Sequence, residues 1–250
     1  MAGNVLIIAQ QIQALIIFLH PTSVIQGWQI SLLMIAAMIS ATAVNVYGIR
    51  LLPGSEMMMV VVHVLGFFAV LFPLWLMGEL STADQVFTTI QDNAGWGSNG
   101  LACLVGLLGP TVTLVGGDSA CHLAEETKHA SKALPLAMIS TAVVNYTIAL
   151  VMTITILFVS GNFDSDLATT TGQPWLAVFY AATSSRAACI CIVFLLIILF
   201  FFCTINCITT ASRQIYAFAR DGGLPGSETL SKVGENQKIS HDRRLLTSSY

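Results

Sequence analysis

Six apolar stretches, each about as long as a bilayer is thick, leave this chain few ways to fold. They run over about 3–19, 28–47, 57–77, 101–124, 134–160 and 187–210, and a helix needs roughly 17–25 residues to cross hydrocarbon. An unpaired amide or carbonyl there costs several kcal/mol, roughly 2–7, so spans of this kind are expected to be helical. The balance of residues agrees: 55% of the chain is hydrophobic, only 9% is charged, and the mean hydropathy is +0.79. Such a composition excludes an ordinary soluble domain. The first stretch carries Gln10, Gln11 and Gln13 and is expected to face protein rather than lipid. It is not a signal peptide, since no Lys or Arg precedes Arg50 and no small-x-small cleavage site precedes His20-Pro21.

The fourth stretch is different in kind. Leu101–Lys132 reads LACLVGLLGPTVTLVGGDSACHLAEETKHASK, an apolar helix interrupted by Gly116-Gly117-Asp118 and followed by a polar helix end and a basic rim. Helices broken at membrane depth survive where they line a cavity, and in secondary transporters that cavity is the substrate site. The pattern points to a transporter.

Charge sets the expected orientation. With six spans the loops alternate sides, and nine of the ten basic residues then share one side: Arg50, Lys128, Lys132, Arg213, Arg220, Lys232, Lys238, Arg243 and Arg244. The other side holds Arg186 with Glu79, Asp84, Asp92, Asp164 and Asp166. Both chain ends are therefore expected in the cytoplasm. Glu79–Gly100 reads as a solvated connector, and Gly172-Gln173-Pro174-Trp175 followed by LAVFYAAT as a short surface helix on the outer face. The sequon Asn145-Tyr146-Thr147 lies inside the fifth span and is discounted. The six cysteines fall in or beside apolar runs and read as small packing residues, not as a metal site. No basic patch argues for nucleic acid.

The residues then become recognisable. GLLGPTVTLVGGDSACHLAEETKHASKALPLAM, LPGSEMMMVVVHVLGFFAVLFPLW, TGQPWLAVFYAAT, and Thr210-Ala211-Ser212-Arg213-Gln214 running through to Ala219-Arg220-Asp221-Gly222-Gly223-Leu224-Pro225 occur in order. Together they resemble fungal amino-acid permeases of the GABA/choline-type branch, within the amino acid–polyamine–organocation transporter superfamily. The likeness covers about 5–233. It implies an all-α integral membrane fold, the inverted-repeat transporter architecture of two five-helix repeats, with the six spans here standing as family helices three to eight. Residues 1–233 would then be a partial permease domain, and 234–250 a polar cytoplasmic tail that departs from the family. On this resemblance the chain is truncated at both ends and lacks the first helix, which normally supplies half of the substrate site. The 250-residue product is then expected not to transport by itself.

Each candidate site residue has a second reading. Gly116 and Gly117 permit an unwound segment, or a close helix–helix contact. The half-helix that follows, opening at Ser119, would present its amino end to a carboxylate. Asp118 would bind a substrate ammonium or exchange the coupling proton, or cap the second half-helix. His122 and Glu126 follow Asp118 at four-residue steps, so on a regular α-helix the three share a face and form a proton relay. The alternative is a polar cytoplasmic helix end pairing with Lys128 and Lys132. Asn206, Thr210 and Arg213 make a polar stripe in the last span, lining the path or an inner gate, or else bonding between helices. Arg220 and Asp221 read as cytoplasmic anchors, and His63 as a packed interior histidine. No second histidine follows His122 four residues on, so a metalloprotease site fails.

The expected activity is secondary active, alternating-access transport of an amino acid or related amine such as GABA or choline. Proton coupling enters through the resemblance alone. Substrate, protons and the lipid bilayer are the implied partners; no cofactor and no enzyme chemistry are implied. No sorting signal stands out, and the plasma membrane is preferred to the vacuole. The rival reading is a truncated, non-transporting membrane fragment, or an assembly partner of intact permeases.

Overall fold

The computed structural model describes residues 1–48, 52–88, 90, 92, 94–113, 116–117, 119–127, 129–160 and 169–231. The chain divides into two compact units, Met1–Ile208 and Thr209–Tyr250. Among the described residues every regular element is a helix. In order they are α1 (Ala2–Leu19), α2 (Gly27–Tyr47), α3 (Leu52–Met77), α4 (Ala83–Thr88), α5 (Asn99–Gly106) and α6 (Leu108–Thr113). A 3-10 helix (Ser119–Glu126), α7 (Ala130–Val159), α8 (Pro174–Thr183), α9 (Arg186–Arg220) and α10 (Ser227–Leu230) follow.

Five of these, α1, α2, α3 from Gly54, α7 and α9, are long and apolar enough to cross a membrane. The expected fourth span, 101–124, is not one helix. Its residues are spread over α5, α6 and the 3-10 helix, because glycines and polar side chains interrupt the apolar run. Large apolar side chains face outward along whole helices: Leu32, Ile35 and Ile39 on α2, and Ile139, Val143 and Leu150 on α7. On a soluble protein such continuous patches would drive aggregation; against lipid tails they cost nothing. The chain is a multi-pass membrane protein.

The first unit is organised around α9. From α1, the Asn4 amide donates to Cys203 Sγ at 3.2 Å. From α2, Asn45 Nδ2 donates to the Ile205 carbonyl at 2.9 Å. On α3, Gly66 lies so close that a Cβ there would stand 2.7 Å from Leu195 Cδ2. α1 packs along α2, and α3 against α7. Trp75 Nε1 donates to Thr155 Oγ1 at 2.8 Å, giving the indole its polar partner inside the α3–α7 contact.

α8 corrects the expectation of a surface helix. Leu176 and Phe179 are 1% and 2% exposed, and with Val178 they pack among Ala14, Leu74, Val159, Cys189, Ile192 and Val193 to form the main core. Pro174 at the first helical position starts the helix, and Ser184 in the left-handed region (φ 50°) ends it, turning the chain directly into α9. The cysteines also depart from expectation: Cys189 is buried, but Cys103, Cys121, Cys191 and Cys203 are exposed. His63, expected inside, is exposed as well.

In the second unit the end of α9 turns at Gly222 (φ 74°), with Gly223 N donating to the Phe218 carbonyl at 2.9 Å. Arg220 and Asp221 pair at 3.4 Å on the surface, an interaction worth little in water.

Truncating Phe179 to Ala should leave a hole in the α8 core and cost about 3 kcal/mol. The readout is the thermal unfolding midpoint of the detergent-solubilised protein. Tyr180→Ala, which removes the edge contact with Phe18 (centroids 5.3 Å apart) from a more exposed position, should cost less, about 0.5–1.5 kcal/mol.

Candidate functional site

The interrupted fourth segment is built one cap at a time. Ser98 opens α5, its hydroxyl accepting from Leu101 N at 3.5 Å. α6 ends at Thr113, and the chain passes through Gly116 at φ 107°, a backbone conformation that side chains with a Cβ rarely adopt. The Ser119 hydroxyl and its N–H both donate to the Gly116 carbonyl, at 2.6 and 3.1 Å. That pair of bonds closes the turn and satisfies a carbonyl that would otherwise be bare. Gly117 is half-buried, with open space where a Cβ would stand. Asp118 lies outside the described residues.

The 3-10 helix changes the geometry expected for the proton relay. At 3.0 residues per turn, positions four apart are separated by about 120° around the axis instead of sharing a face. Positions 122 and 126 both lie on this helix, so the alignment assumed for a regular α-helix is not present. His122 itself is half-buried.

Of the last-span stripe, Asn206 belongs to the first unit, while Thr210 and Arg213 belong to the second; all three are half-buried. Asn206 is engaged. Its Nδ2 donates to Glu56 Oε2 at 3.0 Å, joining α9 to α3. The other carboxylate oxygen, Glu56 Oε1, is enclosed and has no hydrogen-bond partner. The sequence reading missed Glu56 by starting the third span at Met57. The helix begins at Leu52, which places Glu56 a full turn inside. An acid within a spanning helix is by itself a functional signal, and extending the span by one turn would have found it.

A second polar cluster involves the glutamines of the first segment. Gln11, 4% exposed, donates through Nε2 to Gln173 Oε1 at 3.2 Å. Trp175 Nε1 donates to the same oxygen, also at 3.2 Å. An indole N–H can only donate, so it fixes which way the Gln173 amide points, and Gln173 in turn fixes Gln11. The expectation that this helix faces protein holds at Gln11. Among the described residues no group of three or more His, Cys, Asp or Glu could hold a metal ion.

The family model described as "Amino acid permease" matches residues 1–241. A choline transporter of Saccharomyces cerevisiae is 26% identical over 251 residues, covering all of this chain and 44% of the relative. An amino-acid permease BAT1 homolog of Oryza sativa is 31% identical over 172 residues, 64% of this chain and 32% of the relative. A GABA-specific permease of Saccharomyces cerevisiae is 28% identical over 164 residues, 65% of this chain and 28% of the relative. The chain spans less than half the length of these relatives.

The two glycines should respond differently to alanine. Gly116→Ala places a Cβ on a backbone at φ 107° and should destabilise by about 1–3 kcal/mol, although the added atom would meet only Ser119 Oγ, at 3.8 Å. Gly117→Ala meets no atom within 4 Å and should leave the unfolding midpoint nearly unchanged.

Proposed function

The chain belongs to the amino acid permease family, and from that premise we propose that it forms the substrate-handling centre of a secondary active transporter. The solutes are amino acids or related amines of the GABA and choline kind, carried by alternating access and driven by protons. The observation that carries this reading is the interruption of an apolar helical stretch at Gly116, where a turn at φ 107° separates α6 from the 3-10 helix. Backbone amides at the start of the half-helix after such a break suit the carboxylate of a zwitterionic solute, and its ammonium falls to Asp118.

In this scheme Gly116, Gly117 and Ser119 shape the break, and Asp118 binds the substrate ammonium or takes the coupling proton. The five long helices, with the interrupted segment as a sixth crossing, correspond to family helices three to eight. Residues 1–233 form the membrane domain and 234–250 a polar cytoplasmic tail. The distribution of Lys and Arg supports cytoplasmic chain ends, and the plasma membrane is the proposed location. His122 and Glu126 are proposed for proton coupling or gating, and so, separately, are Thr210 and Arg213 of the second unit.

Uptake of labelled GABA, choline and amino acids into vesicles carrying the full-length permease that contains this chain, under an imposed proton gradient, tests the reading. Asp118→Asn should abolish uptake while membrane insertion stays intact. Wild-type uptake by that variant would remove Asp118 from the site, and no gradient-driven uptake of any of these solutes would reject the transporter assignment.

A further inference from the structure

Glu56 is a carboxyl that the scheme above does not use, and its surroundings are unusual. One oxygen, Oε2, accepts from Asn206 Nδ2 at 3.0 Å. The other, Oε1, is sealed from solvent and has no partner. On the same helix, Leu52 and Ser55 join Val44 and Gly48 of the α2 end and Phe202 and Ile205 of α9 in bounding an apolar pocket of about 180 Å³. Nearby on α2, the neutral Asn45 donates to the Ile205 carbonyl, one residue before Asn206. Among the described residues no Lys, Arg, His, Asp or Glu bonds to Glu56.

A half-buried carboxylate with one oxygen enclosed and, among the described residues, a single amide donor lacks the positive charge or further donors that an enclosed carboxylate oxygen normally requires. The missing partner must fit at Oε1, and the atom's enclosure decides what that partner is. A metal ion needs several oxygen ligands arranged around it, and an ammonium is at least as large as the water that cannot reach this atom. A proton needs one lone pair and no volume. We propose that Glu56, positioned by Asn206, is a proton-binding site of the transport cycle, a role that rests on the transporter reading. The step is simple: hydronium gives its proton to Oε1, forming an O–H bond and leaving water. Oε2 stays as the carbonyl oxygen that accepts from Asn206. Because Oε1 is enclosed, the proton enters or leaves only when the contact between α3 and α9 opens, which ties protonation to a conformational step.

Infrared difference spectroscopy of the purified protein between acid and alkaline pH tests this without any transport assay. Wild type should show a protonated-carboxyl band that Glu56→Gln removes, and Asn206→Ala should shift that band in frequency. Glu56→Gln keeps the shape of the side chain and an oxygen for Asn206. Spectra of wild type and Glu56→Gln that superimpose would overturn the proposal, as would a band indifferent to Asn206→Ala. In vesicles, Glu56→Gln should retain solute exchange across the membrane yet lose accumulation driven by a proton gradient; gradient-driven accumulation equal to wild type would also overturn it. If wild type exchanges no solute at all, the transporter reading fails, and the infrared result alone decides whether Glu56 binds a proton.

Discussion

Helix α9 is the member on which the first unit depends. Against lipid, apolar surface supplies no drive for helices to associate, so contact must come from close packing and from polar groups that find one another. α9 provides both. Its side chains and carbonyls receive the Asn4 amide from α1 and the Asn45 amide from α2, and Asn206 reaches Glu56 on α3. Gly66 lets the backbone of α3 approach Leu195. Cys189, Ile192 and Val193, at its beginning, complete the core that buries α8.

The interrupted segment runs on the opposite principle. Where α9 is continuous and crowded, residues 99–126 are divided into short pieces with exposed apolar side chains such as Leu104, Leu107 and Leu108. Gly116 at φ 107° and the Ser119 bonds to its carbonyl stabilise a turn instead of a helix. A transporter needs rigid helices to hold the site and a less regular one to form it, and the two kinds of segment lie in one chain.

Much of this was visible in the residues, and the failures have specific causes. Spanning helices follow from local hydropathy, and the Gly-Gly interruption from the conformational freedom of glycine, so both were legible. The burial of α8 was not: its aromatic and apolar residues fit a membrane interface as well as a protein core, and only the packing of Phe179 against α3, α7 and α9 separates the two. The proton relay presumed an α-helical period; the chain adopts a 3-10 helix after the glycines, and four-residue spacing then loses its meaning. Glu56 was lost to a boundary one turn too short.

From its sequence alone, this protein is determined to hold several membrane-crossing helices and one apolar segment broken at a glycine pair, because hydropathy and backbone preference act over a few neighbouring residues. Which polar atoms meet was decided by the tertiary structure. Glu56 and Asn206 stand 150 residues apart, and Gln11 and Gln173 162 apart. No local pattern pairs such residues; they meet because α9 and α8 fold back against the first three helices and bring Asn206 to Glu56 and Gln173 to Gln11.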